Sequence, residues 1–162
     1  MPASAPPGGV TIPRTWVWYE QPGQVGIAVP GDWLFDAGSS IDCFYNPSPA
    51  DGRLIGVYAW SINGTGPTAL YNAVTNQARL FVPDAPPGFH DMGVKHVTCA
   101  VTCVSWSYSY TPPGRASMRA DAETFLEPNH VAYTVTWTAS SESWADQITN
   151  EKDVLQSFRP LS

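Results

Sequence analysis

The apolar positions change period several times along the chain, and each change predicts an element. Trp16-Val17-Trp18-Tyr19 reads as a short strand or an aromatic lead-in, and Val25 to Val29 as a strand ended by Pro30-Gly31. Ile41 to Tyr45 is a further strand, stopped by Asn46-Pro47. Leu54 to Trp60 is apolar almost throughout and rich in β-branched and aromatic residues. That composition predicts a central strand buried on both faces. After the turn cluster Asn63-Gly64-Thr65-Gly66-Pro67, the period lengthens. Ala69, Leu70, Ala73, Val74, Ala78 and Phe81 keep helical spacing, with Thr65 or Thr68 as cap and Pro67 early. This predicts a helix over 67–82, ended by Pro83.

Beyond Pro86-Pro87-Gly88 the period returns to two. Val94 to Val101 alternates, with Val97, Cys99 and Val101 on one side. Val104, Trp106, Tyr108 and Tyr110 alternate with serines, and the apolar phase switches between Cys103 and Val104. The switch predicts a bulge at that point. Pro112-Pro113-Gly114 turns the chain, 116–125 returns, and Pro128-Asn129 turns it again into Val131, Tyr133, Val135 and Trp137. This is an antiparallel meander. Ser143 can cap a last helix with Trp144, Ile148, Leu155 and Phe158 on one face, stopped by Pro160. The fold class is therefore α+β, an antiparallel sheet with two packed helices. Trp33, Trp60, Trp106, Trp137, Trp144 and Phe158 are the expected core between them.

Residues 1–15 read as a flexible Pro/Ala/Gly-rich arm or linker rather than a signal peptide, since neither a basic nor an apolar leader region is present. Residues 16–162 then form one domain. Composition narrows the partners. Charged residues are only 14%, against roughly 25% in an average domain, and the net charge is −6. The eight Lys and Arg are scattered singly, so no basic patch is available for nucleic acid or an anionic membrane surface. No apolar run reaches the roughly 20 residues that span a bilayer, so direct membrane insertion is not expected.

Three Cys occur, Cys43, Cys99 and Cys103, and an odd number leaves at least one thiol unpaired within a monomer. If Cys99 and Cys103 share a strand they stand about 13 Å apart at strand rise, too far for a mutual bridge. A bridge from Cys43 to one of them, or three buried thiols, both remain open.

Two resemblances follow from the motifs. Cys43, Trp60 and Cys99 stand in the order of the two sheet-bridging Cys and the core Trp of an immunoglobulin-like sandwich. A wider match uses Val29-Pro30-Gly31-Asp32-Trp33, then Pro87-Gly88-Phe89 and Tyr108-Ser109-Tyr110-Thr111. It continues through Tyr133-Thr134-Val135-Thr136-Trp137, Trp144 and Ser157-Phe158-Arg159-Pro160. In that order and spacing the chain, over about residues 25–160, resembles the Mog1/PsbP-like α+β domains of actinobacterial envelope proteins, the LpqN-type lipoproteins among them. The resemblance implies an extracytoplasmic domain that binds rather than catalyses.

The residues themselves point the same way. His96, Cys99 and Cys103 match no standard zinc spacing. No local signature pairs a Cys with His90, His96 or His130 as nucleophile and base. Asp121, Glu123 and Glu127 read as a solvated strand face, so no catalytic residue, metal or cofactor is expected. Trp16, Trp18 and Tyr19 beside the arm, and Tyr45 before a Pro-rich loop, are the candidate partner-binding aromatics. The expected function is a non-enzymatic binding module, extracytoplasmic, docking a protein or apolar ligand through aromatic loops. The alternative is a virion component, a decoration or minor capsid protein, self-assembling through its N-terminal arm.

Overall fold

A computed structural model of the chain describes every residue except 9, 22–23, 39–40, 49–51, 100, 128–129 and 162. The chain runs through β1 (Ala3–Ser4), β2 (Trp16–Gln21), β3 (Val25–Pro30), β4 (Leu34–Ala37), β5 (Asp42–Tyr45), β6 (Leu54–Ser61) and α1 (Gly66–Phe81). It continues through β7 (His90–His96), β8 (Thr102–Tyr110), β9 (Met118–Leu126), β10 (Val131–Ser140), α2 (Trp144–Ser157) and β11 (Arg159–Pro160). The strands form two antiparallel sheets, not one. The larger has the order β4-β5-β6-β10-β9-β8-β7, and the smaller β1-β2-β3-β11. The expected meander is β7 to β10; its turn at Pro128-Asn129 lies outside the described residues.

Two cores lie on opposite faces of the large sheet. On one face the small sheet and α2 enclose Ile27, Val29, Trp33, Phe44, Val135, Trp137, Trp144 and Phe158. On the other, α1 sets Leu70, Val74 and Ala78 against Val104, Trp106, Leu126 and Ala132. Leu70, Val74 and Ala78 recur every four residues, so the stripe presents one side of the helix to the sheet. The two-sided burial explains why β8 needs no bulge between Cys103 and Val104. Cys103 enters the first core and Val104 the second, and the β8–β9 register runs unbroken from Thr102 to Tyr110. The bulge lies instead in β7, between Asp91 and Gly93. Gly93 takes φ +97° there, and its N–H is accepted by Asp91 Oδ1 at 2.9 Å.

Other expectations need correction. The strand placed at Val94 to Val101 ends at His96. Residues 1–15 are not a free arm throughout, because Ala3–Ser4 pair with Trp18–Tyr19. The α2 face differs too: Ile148 is exposed, and Glu151 with Val154 turns inward beside Trp144. Of the expected core aromatics, Trp60 is only half-buried, its Nε1 donating to Thr134 Oγ1 at 3.0 Å.

Candidate functional site

The aromatics expected at an interface are dispersed, and three are structural. Trp18 is 1% exposed. Its ring lies so close to Gly26 that any Cβ there would collide with it. Trp16 and Tyr19 are half-buried against the first core, and the Tyr19 ring lies 4.8 Å from that of Phe44. Only Tyr45 is exposed, at 40%. It pairs in register with Leu54 and Leu34.

The Cys reading is corrected by the end of β7. With His96 the last residue of that strand and Thr102 the first of β8, Cys99 lies in the connection, not on a strand. The chain reverses there, the Cα atoms of Cys99 and Cys103 come to 6.3 Å, and the two form a disulfide. Cys43 is free. This also removes the bridge on which the immunoglobulin-like likeness depended. His96 stacks on Tyr71 with ring centroids 4.9 Å apart. Among the described residues no three His, Cys, Asp or Glu side chains cluster as a metal site. No helix among them is long and apolar enough to cross a membrane.

The carboxylates of β9 are not a solvated face. Asp121 and Glu127 are buried and Glu123 is half-buried. Odd positions of β9 share the side of Phe125, in the core that α2 closes, so Asp121 and Glu123 face Glu151 of the helix, while Glu127 follows the end of the strand. Burial, then hydrogen bonding to and charge from Asp121, pushes Glu151 of α2 up to about 8. Arg119 Nη2 meets Asp121 Oδ2 at 3.3 Å.

The most developed surface feature lies on the α1 face. A helix about 10 Å across covers only two or three strands spaced about 4.8 Å apart. α1 packs on β7, β8 and β9, so the part of that face built by β10, β6 and β5 is left bare. The result is an open trough of about 600 Å³. One row across it is made of small side chains in register: Cys43, Gly56, Thr136 and Ala122. Gly56 marks how open it is, since an added Cβ would meet only Ile41 Cγ2, at 3.6 Å. Trp106, Tyr108, Tyr110 and Tyr58 line it with Leu80 and Phe81 from the end of α1. These rings support one another, Trp106 to Tyr108 at 4.5 Å and Phe81 to Trp106 at 5.7 Å. Trp106 Nε1 donates to Asp91 Oδ1 at 3.1 Å.

Among the described residues the trough has no charged lining side chain. Burial, followed by the neighbouring phenols Tyr110 and Tyr58, pushes Tyr108 up to about 12, and burial raises Tyr58 and Tyr110 as well. The phenols therefore stay neutral. Cys43 is likewise raised, by burial first and then by Asp36 and Asp42, so its thiolate is scarce at neutral pH. At the trough Leu80 and Ile41 stand 59% and 42% exposed. Periodicity hid this site because its residues come from five strands and a helix end. The legible signal was a run of aromatics on one face of β8 followed by strands with Ala122, Thr136 and Gly56 on the matching face.

The architecture is the Mog1/PsbP-like α+β fold. Solved structures share it along nearly the whole chain at low identity. The cyanobacterial PsbP protein CyanoP of Synechocystis sp. PCC 6803 has a TM-score of 0.67 at 15% identity, covering 94% of this chain and 96% of its own. LpqN of Mycobacterium tuberculosis, described as involved in cell envelope biogenesis, has 0.61 at 16%, with 85% and 84% covered. The Ran-binding protein Mog1p of Saccharomyces cerevisiae has 0.60 at 9%, with 91% and 96% covered. No family model and no curated protein matches the sequence.

Proposed function

We propose that this protein is a non-enzymatic, extracytoplasmic binding module whose aromatic trough receives an uncharged apolar segment of a protein partner. The observation that carries the reading is the bare half of the α1 face, about 600 Å³ of aromatic and small side chains with no charge among the described residues that line it. The exposed apolar rim extends it, and continuous apolar patches of this kind mark docking surfaces. A charged partner segment would be desolvated there without compensation, which selects an uncharged one. Mog1p, of similar fold, is a Ran-binding protein. The Cys99–Cys103 disulfide supports an oxidising compartment, and LpqN, of similar fold, is described as involved in cell envelope biogenesis. The virion reading rested on an arm free to reach a neighbour, and Ala3–Ser4 pair instead with β2 of the same chain.

The test uses Cys43 as a reporter at the trough. Neutral Nile red should bind at one saturable site and slow the reaction of Cys43 with Ellman's reagent. Gly56→Leu fills the small-residue row and should abolish both effects while the protein stays folded. Peptides selected on the wild type and counter-selected on the variant should shield Cys43 in the same way. Binding that survives Gly56→Leu, with Cys43 unshielded, would place docking elsewhere. A thiol count on the denatured, unreduced chain should give one; three would remove the oxidising compartment.

A further inference from the structure

A separate pocket of about 360 Å³ opens on the opposite side of the molecule, between α2, β9 and the connection closed by Cys99–Cys103. Its apolar lining comprises Val97, Val101, Phe125, Leu155 and Phe158. Phe125 and Phe158 are both 4% exposed, with ring centroids 4.7 Å apart. Its charged lining residues are Glu123, Lys152 and Arg159. Apolar walls with a few convergent polar groups are the usual composition of a small-molecule site.

The charges around the pocket do not cancel. Glu123 is faced by Asp121 from its own strand, by Lys95 of β7 and by Glu151 of α2, and Lys152 of α2 lines the same pocket. Asp121 is already met by Arg119 at 3.3 Å. Glu151, pushed up to about 8, is mostly protonated at neutral pH. Burial first, then the charge of Asp121, pushes Glu123 up to about 7, against the opposing pull of Lys95. Lys152 and Arg159 have no ion-pair partner among the described residues. Below neutrality the pocket therefore presents two cations and a carboxyl group able to donate a hydrogen bond.

We propose that this pocket is a second binding site, for a small organic acid with an aromatic or aliphatic body and a single carboxylate. The body lies against Phe125 and Phe158. The carboxylate is met by Lys152 and Arg159 and accepts a hydrogen bond from Glu123. A cationic or neutral analogue of the same shape loses these contacts.

The test titrates the whole protein with 4-phenylbutyrate, 4-phenylbutylamine and 4-phenyl-1-butanol, following methyl resonances by NMR. Phenylbutyrate should shift Val97, Val101 and Leu155, with binding about tenfold weaker at pH 8 than at pH 6. That factor is the roughly tenfold fall in the protonated fraction of a group titrating near 7. Glu123→Gln keeps a donor at every pH and should bind with the pH dependence removed. Lys152 is exposed, so Lys152→Ala should stay folded and weaken binding by about tenfold, the loss of one charge-assisted contact. Equal or tighter binding of the amine at these methyls would overturn the proposal. So would pH-independent binding of phenylbutyrate to the wild type, or its shifts appearing only around Tyr58 and Trp106.

Discussion

The two faces of the large sheet are built from the same alternating strands and end in different states. One is closed by a second sheet and by α2, and its core is continuous from Ile27 to Phe158. The other carries one helix, whose stripe Leu70, Val74 and Ala78 covers the β7–β9 half. Closure forces compromises. Among the described residues the closed side holds the buried Trp137 Nε1 without a hydrogen-bond partner, and it keeps Glu151 away from water. The half-open face has fewer such conflicts, because Trp106 and Trp60 both find acceptors, and it retains room for something else. Coverage, not strand composition, separates a face that stabilises from a face that can bind.

The sharpest way to break this comparison is to cut into the closed face. Trp137 is fully buried and stacks on Trp33 at 5.3 Å. Trp137→Ala should cost about 3–5 kcal/mol, the range for deleting a buried aromatic ring, read as a fall in the urea midpoint. A loss below about 1 kcal/mol would mean that this core is not closed. The disulfide comes next. Replacing Cys99 and Cys103 together by Ser should cost about 2 kcal/mol, modest because the closed loop is so short. Thermal unfolding of the double variant against the oxidised wild type measures it.

The buried carboxyl of α2 adds a pH dependence to the same face. Glu151 ionises near 8 when folded and near 4.5 when free. Between these values the native state holds more protons than the unfolded one, so stability is greatest below about 4.5 and falls as pH rises toward 8. Glu123, raised to about 7, acts with the same sign. The melting temperature should therefore drop between pH 5 and pH 8, and Glu151→Gln should flatten the drop. A rise over that interval would show that α2 does not bury this group. The smallest effect is expected on the half-open face. Leu80 is 59% exposed at the trough rim, so Leu80→Ser should change stability by no more than about 0.5 kcal/mol while weakening Nile red binding.

The local periods carried most of the fold. The stripe of α1 and the alternation from Val131 to Trp137 are visible residue by residue, because each repeats within a single element. What failed was whatever depended on a neighbour distant in sequence. Ile148 and Glu151 compete for the inner face of α2, and hydropathy favours Ile148. The structure turns Glu151 inward because α2 docks on a strand face that already carries Asp121 and Arg119. Trp18 looked available beside a proline-rich segment, yet Gly26 across the sheet leaves space for its ring. Cys99 was assigned to a strand that had stopped three residues earlier. The trough was the least legible, since its small-residue row exists only once four strands are in register.

The displaced register of β7 has a consequence for how copies of this chain behave in crowded solution. β7 is an outer strand of the large sheet, and an unpaired outer strand is a template on which a second chain can polymerise. At Asp91–Gly93 the ladder slips, and Asp91 occupies the Gly93 amide. His90, Asp91, Lys95 and His96 place polar groups along the same short segment. A second chain arriving there meets an interrupted row of donors and acceptors, a poor template for extending the sheet. At the opposite margin β4 is only four residues long, which offers too little backbone for the same growth.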